Sequence, residues 1–124
     1  MITKKILICD DDKGILEVLE MMLEMDDYEV VKENDSTNLI NNVIKCKPDL
    51  LLMDLWMPII SGDELLRKIR LDENLKKLPV IIISASIDGS EIAGKAGADA
   101  YIRKPFDMDD TLLKIRNLLE KRIN

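Results

Sequence analysis

The chain has 124 residues, a net charge of −6, 47% hydrophobic and 34% charged side chains. That length suits one domain burying roughly two thirds of its unfolded surface without disulfide or metal staples, and the apolar share excludes a disordered chain. The acidic balance favours solubility and disfavours direct binding to nucleic acid or to an anionic membrane surface.

The first apolar run, residues 6–9, stops at Asp10-Asp11-Asp12. It is too short for the h-region of a signal peptide and reads as a strand. Beyond Gly14, apolar residues at 15, 16, 18, 19, 22 and 23 follow the spacing of a helix with one buried face. Residues 28–31 read as a second, shorter strand, and Asn34-Asp35-Ser36 supplies turn and N-cap chemistry. Leu39, Ile40, Val43 and Ile44 form a second helical stripe, which Lys47-Pro48-Asp49 ends.

Leu50-Leu51-Leu52-Met53 then runs directly into Asp54. An unbroken apolar run of this length reads as a strand covered on both faces, as in a parallel sheet. A charge inside such a strand costs several kcal/mol, so Asp54 belongs at its carboxyl end. The chain turns through Pro58 and Gly62, and Ser61 with Glu64 matches a capping box ahead of Leu65, Leu66 and Ile69.

Leu78-Pro79 leads into a fourth strand at residues 80–83, which stops at Ser84-Ala85-Ser86. Residues 90–96 make barely two helical turns, and Gly89, Gly94 and Gly97 weaken any helix there. Residues 100–102 read as a fifth strand followed by Lys104-Pro105-Phe106. Asp107, Asp109 and Asp110 favour a helix start, and Leu112, Leu113, Ile115, Leu118 and Leu119 form its stripe. No run approaches the roughly 20 apolar residues of a membrane span. Cys9 and Cys46 lack metal-ligand spacing and are expected as reduced thiols in a cytoplasmic protein.

A strand–helix alternation repeated five times implies an α/β fold with a parallel sheet, helices on both faces and right-handed crossovers. The carboxyl ends of all strands then share one edge, where such sheets bind ligands. Asp10 and Asp11 follow strand one, Asp54 strand three, Ser84 strand four and Lys104 strand five. Each alone reads equally well as a cap, a loop hydroxyl or a surface cation. Their equivalent topological positions make them one candidate site.

Two like charges about 4 Å apart repel by roughly 4 kcal/mol at an effective dielectric of about 20. Three carboxylates beside one ammonium therefore call for a cation; without one, at least one carboxyl pKa should rise or the loops should stay loose. All-oxygen ligands suit Mg²⁺, with Mn²⁺ as an alternative. The chain has no histidine, which removes imidazole catalysis, imidazole ligands and a phosphohistidine on this chain. Asp54, ionised at neutral pH with an ordinary pKa, can act as a nucleophile without a general base. Phosphoryl transfer asks mainly for in-line positioning and neutralisation of the phosphoryl oxygens. The cation, Lys104 and the Ser84 hydroxyl with nearby amides supply that, giving an aspartyl phosphate.

These residues resemble the receiver domain of two-component response regulators. The matching pieces are Ile6-Leu7-Ile8-Cys9-Asp10-Asp11, Leu52-Met53-Asp54-Leu55-Trp56-Met57-Pro58 with Gly62, Ile81-Ile82-Ile83-Ser84-Ala85, Gly97-Ala98-Asp99-Ala100-Tyr101, and Lys104-Pro105-Phe106. The resemblance implies a flavodoxin-like doubly wound sheet with strand order 2-1-3-4-5. It implies that Asp54 is the phosphoacceptor and that Asp11 binds the metal directly, Asp10 through water, with the Trp56 carbonyl as a further ligand. Ser84 then contacts the phosphoryl group, Tyr101 is the switch aromatic, and Lys104 is the phosphate-binding lysine, joined to Pro105 by a cis bond.

Its donors are a sensor histidine kinase or a histidine phosphotransfer protein. The expectation is a single receiver over residues 1–124, with no output domain, no membrane insertion and no turnover of an outside substrate. Its output passes to another protein, or the phosphoryl group itself passes onward. A haloacid-dehalogenase-like phosphatase shares the nucleophile and metal, but places a second aspartate where this chain has Trp56. A degenerate, binding-only receiver is disfavoured by the intact acidic, hydroxyl and lysine set. The segment between Ser84 and Tyr101 is shorter than usual for the family, leaving its helix expected as stunted or loosely ordered.

Overall fold

The apolar run at 50–53 is buried because strands flank it on both sides and helices cover both its faces. The computed structural model describes residues 3–121. Its strands are β1 (Lys5–Cys9), β2 (Glu29–Glu33), β3 (Leu50–Asp54), β4 (Val80–Ser84) and β5 (Ala100–Arg103). They form one sheet in the order β2-β1-β3-β4-β5, with every pair parallel. The helices are α1 (Lys13–Met25), α2 (Leu39–Cys46), α3 (Gly62–Leu71), α4 (Gly89–Ala96) and α5 (Met108–Lys121), with a 3₁₀ turn at Ser36–Asn38. This is the doubly wound, flavodoxin-like arrangement expected from the sequence.

Strand side chains alternate between faces, so the sheet divides the core in two. Leu7, Leu51, Met53 and Ile82 pack with Leu39 and Val43 of α2, Leu65 and Leu66 of α3, and Ala93 of α4. Ile6, Ile8, Leu52 and Ile83 pack with Leu16, Leu19 and Leu23 of α1 and with Ile115 and Leu119 of α5. Each fully buried Leu or Ile contributes about 1.5–3 kcal/mol. Because both faces are covered, β1, β3 and β4 read as unbroken apolar runs, whereas edge strands β2 and β5 are mixed.

Some local expectations shift. Strand β2 occupies Glu29–Glu33 rather than residues 28–31, because pairing with Lys5–Cys9 recruits Lys32 and Glu33, which carry no apolar signal. The apolar stripes are wider than the buried faces: Val18, Ile44 and Leu113 are exposed. Ser61 is the N-cap residue of α3, but the capping box does not form. Its hydroxyl donates to Asp63 Oδ1 at 2.6 Å instead, where Arg67 also binds the same carboxylate. Helix α4 has eight residues, as short as expected, and ends at Gly97 with φ +102°. Its small Ala93 and Ala96 let it sit close to the sheet. Among the described residues no helix is long and apolar enough to cross a membrane.

Candidate functional site

The site follows from strand periodicity. Ile8 pairs with Leu52, and Ile83 with Ile102. Two residues beyond Ile8, Leu52 and Ile102 stand Asp10, Asp54 and Lys104, so the period of two carries all three onto the same face of the sheet at its carboxyl edge. The backbone holds that edge in place. The Asp10 amide donates to Glu33 O at 3.2 Å, the Leu55 amide to Ile83 O at 3.0 Å, and the Lys104 amide to Ser84 O at 2.9 Å.

Asp10 and Asp54 are buried and Asp11 is exposed. Each offers a carboxylate oxygen, and the three oxygens lie within 4.8 Å of one another. The Lys104 ammonium bridges the two buried acids, 3.1 Å from Asp10 Oδ2 and 3.3 Å from Asp54 Oδ1. Asp10 Oδ1 also accepts the Asp12 amide at 2.9 Å. Asp12 in turn caps α1, accepting the amides of Gly14 at 2.8 Å and Ile15 at 3.3 Å. The third aspartate of the run is thus a cap, and the first two belong to the site.

Burial, followed by the nearby Asp10 charge, pushes the Asp54 carboxyl up to about 6 against the opposing pull of Lys104. Burial likewise raises Asp10, offset in part by the Asp12 amide and Lys104. Burial works against the Lys104 ammonium, but the charges of Asp54 and Asp10 outweigh it and hold its pKa above the ordinary lysine value. One ammonium does not neutralise three acids, as the sequence anticipated. The Asp54 pKa is not the ordinary value assumed there, because the carboxyl is almost fully enclosed. Hard oxygen donors converging at this spacing, with excess negative charge, fit a small divalent cation.

Ser84 ends β4 and is buried; its hydroxyl lies 3.0 Å from Ser86 Oγ and accepts the Ser86 amide at 3.1 Å. Tyr101 is half-buried, its hydroxyl reaching Ser84 O at 3.1 Å and Ser86 O at 3.4 Å. Gly89 lies beneath it, and a Cβ there would meet the tyrosine hydroxyl and force the ring to shift. Trp56 stands half-exposed two residues past Asp54. Gly62 returns the loop to the sheet, its amide donating to Leu55 O at 2.7 Å, and any Cβ at 62 would strike Asp54 O. The Lys104–Pro105 bond is cis.

Cys9 is buried beside the site and donates to Met57 Sδ at 3.6 Å. Burial, followed by the Glu33 charge, pushes its thiol to about 12, which removes it as a nucleophile. Neither Ser86 nor Gly89 carries a sequence signal that assigns it to this edge. A groove of about 450 Å³ lies apart from these residues, between the end of α2 and the α3–β4 connection, lined by Val43, Ile44, Pro48, Leu75 and Leu78. Lys47, Asp72 and Lys77 also line it.

Comparison with known proteins agrees with this geometry. Residues 6–116 match the family described as the response regulator receiver domain. The response regulator ArlR of Staphylococcus saprophyticus is 38% identical over 120 residues, which cover 95% of this chain and 53% of that protein. The DNA-binding dual master transcriptional regulator RpaA of Synechocystis is 33% identical over 119 residues, covering 94% of this chain and 49% of that protein. The chain thus spans about half the length of these curated relatives. A response regulator receiver domain protein from Clostridium thermocellum superposes with a TM-score of 0.87 at 31% identity, covering 96% of each chain. With the acidic cluster, the lysine and the sheet order in place, the match over most of its length establishes that this chain belongs to the receiver domain family of two-component response regulators.

Proposed function

We propose that Asp54 accepts a phosphoryl group from a phosphohistidine on a sensor histidine kinase or histidine phosphotransfer protein. The observation that carries this reading is the convergence of a buried Asp54 with Asp10, Asp11 and the Lys104 ammonium on one sheet edge. With a pKa of about 6, the Asp54 carboxylate is roughly nine-tenths ionised at pH 7 even before any cation binds. Its oxygen attacks phosphorus as the P–N bond of the donor breaks. The donor imidazole leaves neutral, its second nitrogen keeping the proton, and an acyl phosphate forms on Asp54.

Mg²⁺, or Mn²⁺ in its place, would be held by Asp11, Asp54 and the Trp56 backbone carbonyl, and by Asp10 through water. When bound it offsets negative charge on the phosphoryl oxygens. Lys104 neutralises a further oxygen and the Ser84 hydroxyl donates to another. Phosphorylation shifts a two-state equilibrium in which Ser84 moves toward the phosphoryl group and Tyr101 turns inward. The contact of the Tyr101 hydroxyl with Ser86 O of the β4–α4 loop, at 3.4 Å, supports this reading, because it lets a movement of that loop reach the ring. The altered surface around Ser84 and Tyr101 is then bound by a downstream protein, or the phosphoryl group passes onward. The protein acts as a signalling phosphoacceptor that catalyses only its own phosphorylation and dephosphorylation.

Incubation with Mg²⁺ and acetyl phosphate, followed by intact mass, tests the reading. A single phosphoryl adduct absent from Asp54→Asn is expected. No adduct would mark a binding-only receiver. Sustained hydrolysis of phosphomonoesters would mark a phosphatase.

A further inference from the structure

The loop between Asp54 and Gly62 contains an unusual turn. The Ile60 amide donates to the Pro58 carbonyl at 2.9 Å, across Ile59 at φ +74°. A three-residue turn with a positive φ at its centre is the rare, strained form of the γ-turn. A β-branched residue is among the least suited to that position. Ile59 is 84% exposed, so packing of its side chain does not hold it there.

A contact from outside the loop does. The Ser36 hydroxyl donates to the same Pro58 carbonyl at 2.7 Å, occupying its second lone pair. Ser36 is 4% exposed, and a buried hydroxyl needs such a partner. It is positioned by the 3₁₀ turn Ser36–Asn38, which Asp35 caps by accepting the Thr37 amide at 2.9 Å and the Thr37 hydroxyl at 2.6 Å. On the near side, Cys9 anchors Met57 from below. The loop is thus held at Met57 and Pro58, the two residues that follow Trp56.

We propose that Ser36 is a positioning residue for the cation site, acting through the Pro58 carbonyl to hold the Trp56 carbonyl at the acidic cluster. This rests on the reading of that carbonyl as a metal ligand. The bond also links the β2–α2 connection, which carries no site residue of its own, to the loop that follows the phosphoacceptor.

The test is direct Mn²⁺ binding, with free ion counted by electron paramagnetic resonance, on wild type, Ser36→Ala and Ser36→Ala/Ile59→Gly, alongside urea unfolding of each. Losing one hydrogen bond should raise the Mn²⁺ Kd of Ser36→Ala about fivefold. Glycine at 59 adopts the turn without strain, so the double variant should return to within about twofold of wild type. A Kd for Ser36→Ala equal to wild type, with only the unfolding midpoint lowered, would reduce Ser36 to a structural role and overturn the inference alone. Failure of Ile59→Gly to restore binding overturns it as well. If wild type does not bind Mn²⁺, or binds it with no phosphoryl adduct at Asp54, the underlying site reading falls first.

Discussion

The Tyr101 hydroxyl donates to the Ser84 carbonyl oxygen at 3.1 Å, the same oxygen that receives the Lys104 amide at 2.9 Å. One carbonyl therefore connects the half-buried aromatic to the backbone of the hydroxyl residue and of the lysine. Movement of β4's last residue is felt by both. The tyrosine fits because position 89, at the start of α4, carries no side chain.

This contact is separable by a double-mutant cycle. Tyr101→Phe should cost about 1 kcal/mol for the lost hydrogen bond. Gly89→Ala should be destabilising in the wild-type background and much less so with phenylalanine at 101, where the colliding oxygen is gone. Urea unfolding midpoints of the four proteins measure the coupling, expected at about 1 kcal/mol. Additive effects would show that the two positions do not share the space.

The raised carboxyls give a pH dependence of definite sign. Asp54 moves from 3.8 to about 6, so the native state binds its proton more tightly than the unfolded chain does. Stability is therefore greatest below pH 4 as far as this group is concerned, and falls as pH rises from about 4 to about 6, by about 3 kcal/mol in all. Asp10 shifts in the same direction. In chelator, Asp54→Asn should be more stable than wild type at pH 7.5 by about 2 kcal/mol, with the difference shrinking toward pH 4. Added Mg²⁺ should stabilise wild type and narrow the gap at pH 7.5. Chemical denaturation at the two pH values measures both effects, and a less stable Asp54→Asn at pH 7.5 would contradict the burial argument.

Arg70 holds together the end of α3 and the two connections beside it. Its guanidinium donates to Gly97 O at 2.9 Å, Lys76 O at 3.0 Å, Leu78 O at 2.7 Å and Asp99 Oδ2 at 2.9 Å. The same Asp99 oxygen accepts the Val80 amide at 2.8 Å. An ammonium cannot reproduce this planar fork. Arg70→Lys should lower stability by about 1–2 kcal/mol while leaving phosphoryl acceptance at Asp54 intact, as read by urea midpoint and intact mass.

Trp56 stands at the mouth of the site, half-exposed. We predict that its bulk, two residues past the proposed phosphoacceptor, limits the approach of water to an acyl phosphate on Asp54. Replacement by asparagine should speed loss of the phosphoryl adduct several-fold, followed by intact mass after removal of donor. An unchanged or slower decay would count against shielding.

Much of this was legible in the chain itself. Unbroken apolar runs at 6–9, 50–53 and 80–83 state that three strands are covered on both faces. Asp10, Asp54 and Lys104 each end an apolar strand pattern, so their shared edge follows from topology before any coordinate is known. The same local rules misjudged Ser61. A hydroxyl beside two acids can cap the helix or donate to a carboxylate, and spacing does not choose between them.

Only the tertiary structure decided the contacts between residues remote in sequence. Lys104 meets Asp10 across 94 positions and Asp54 across 50, and their burial together sets the Asp54 carboxyl near 6. Ser36 meets Pro58 across 22 positions, and Gly89 matters because the Tyr101 ring crosses over it. Periodicity and turn chemistry are local, so they specify which face and which edge a residue occupies. Enclosure, charge neighbours and the partner of a buried hydroxyl depend on how the loops close over that edge, which no stretch of the sequence contains by itself.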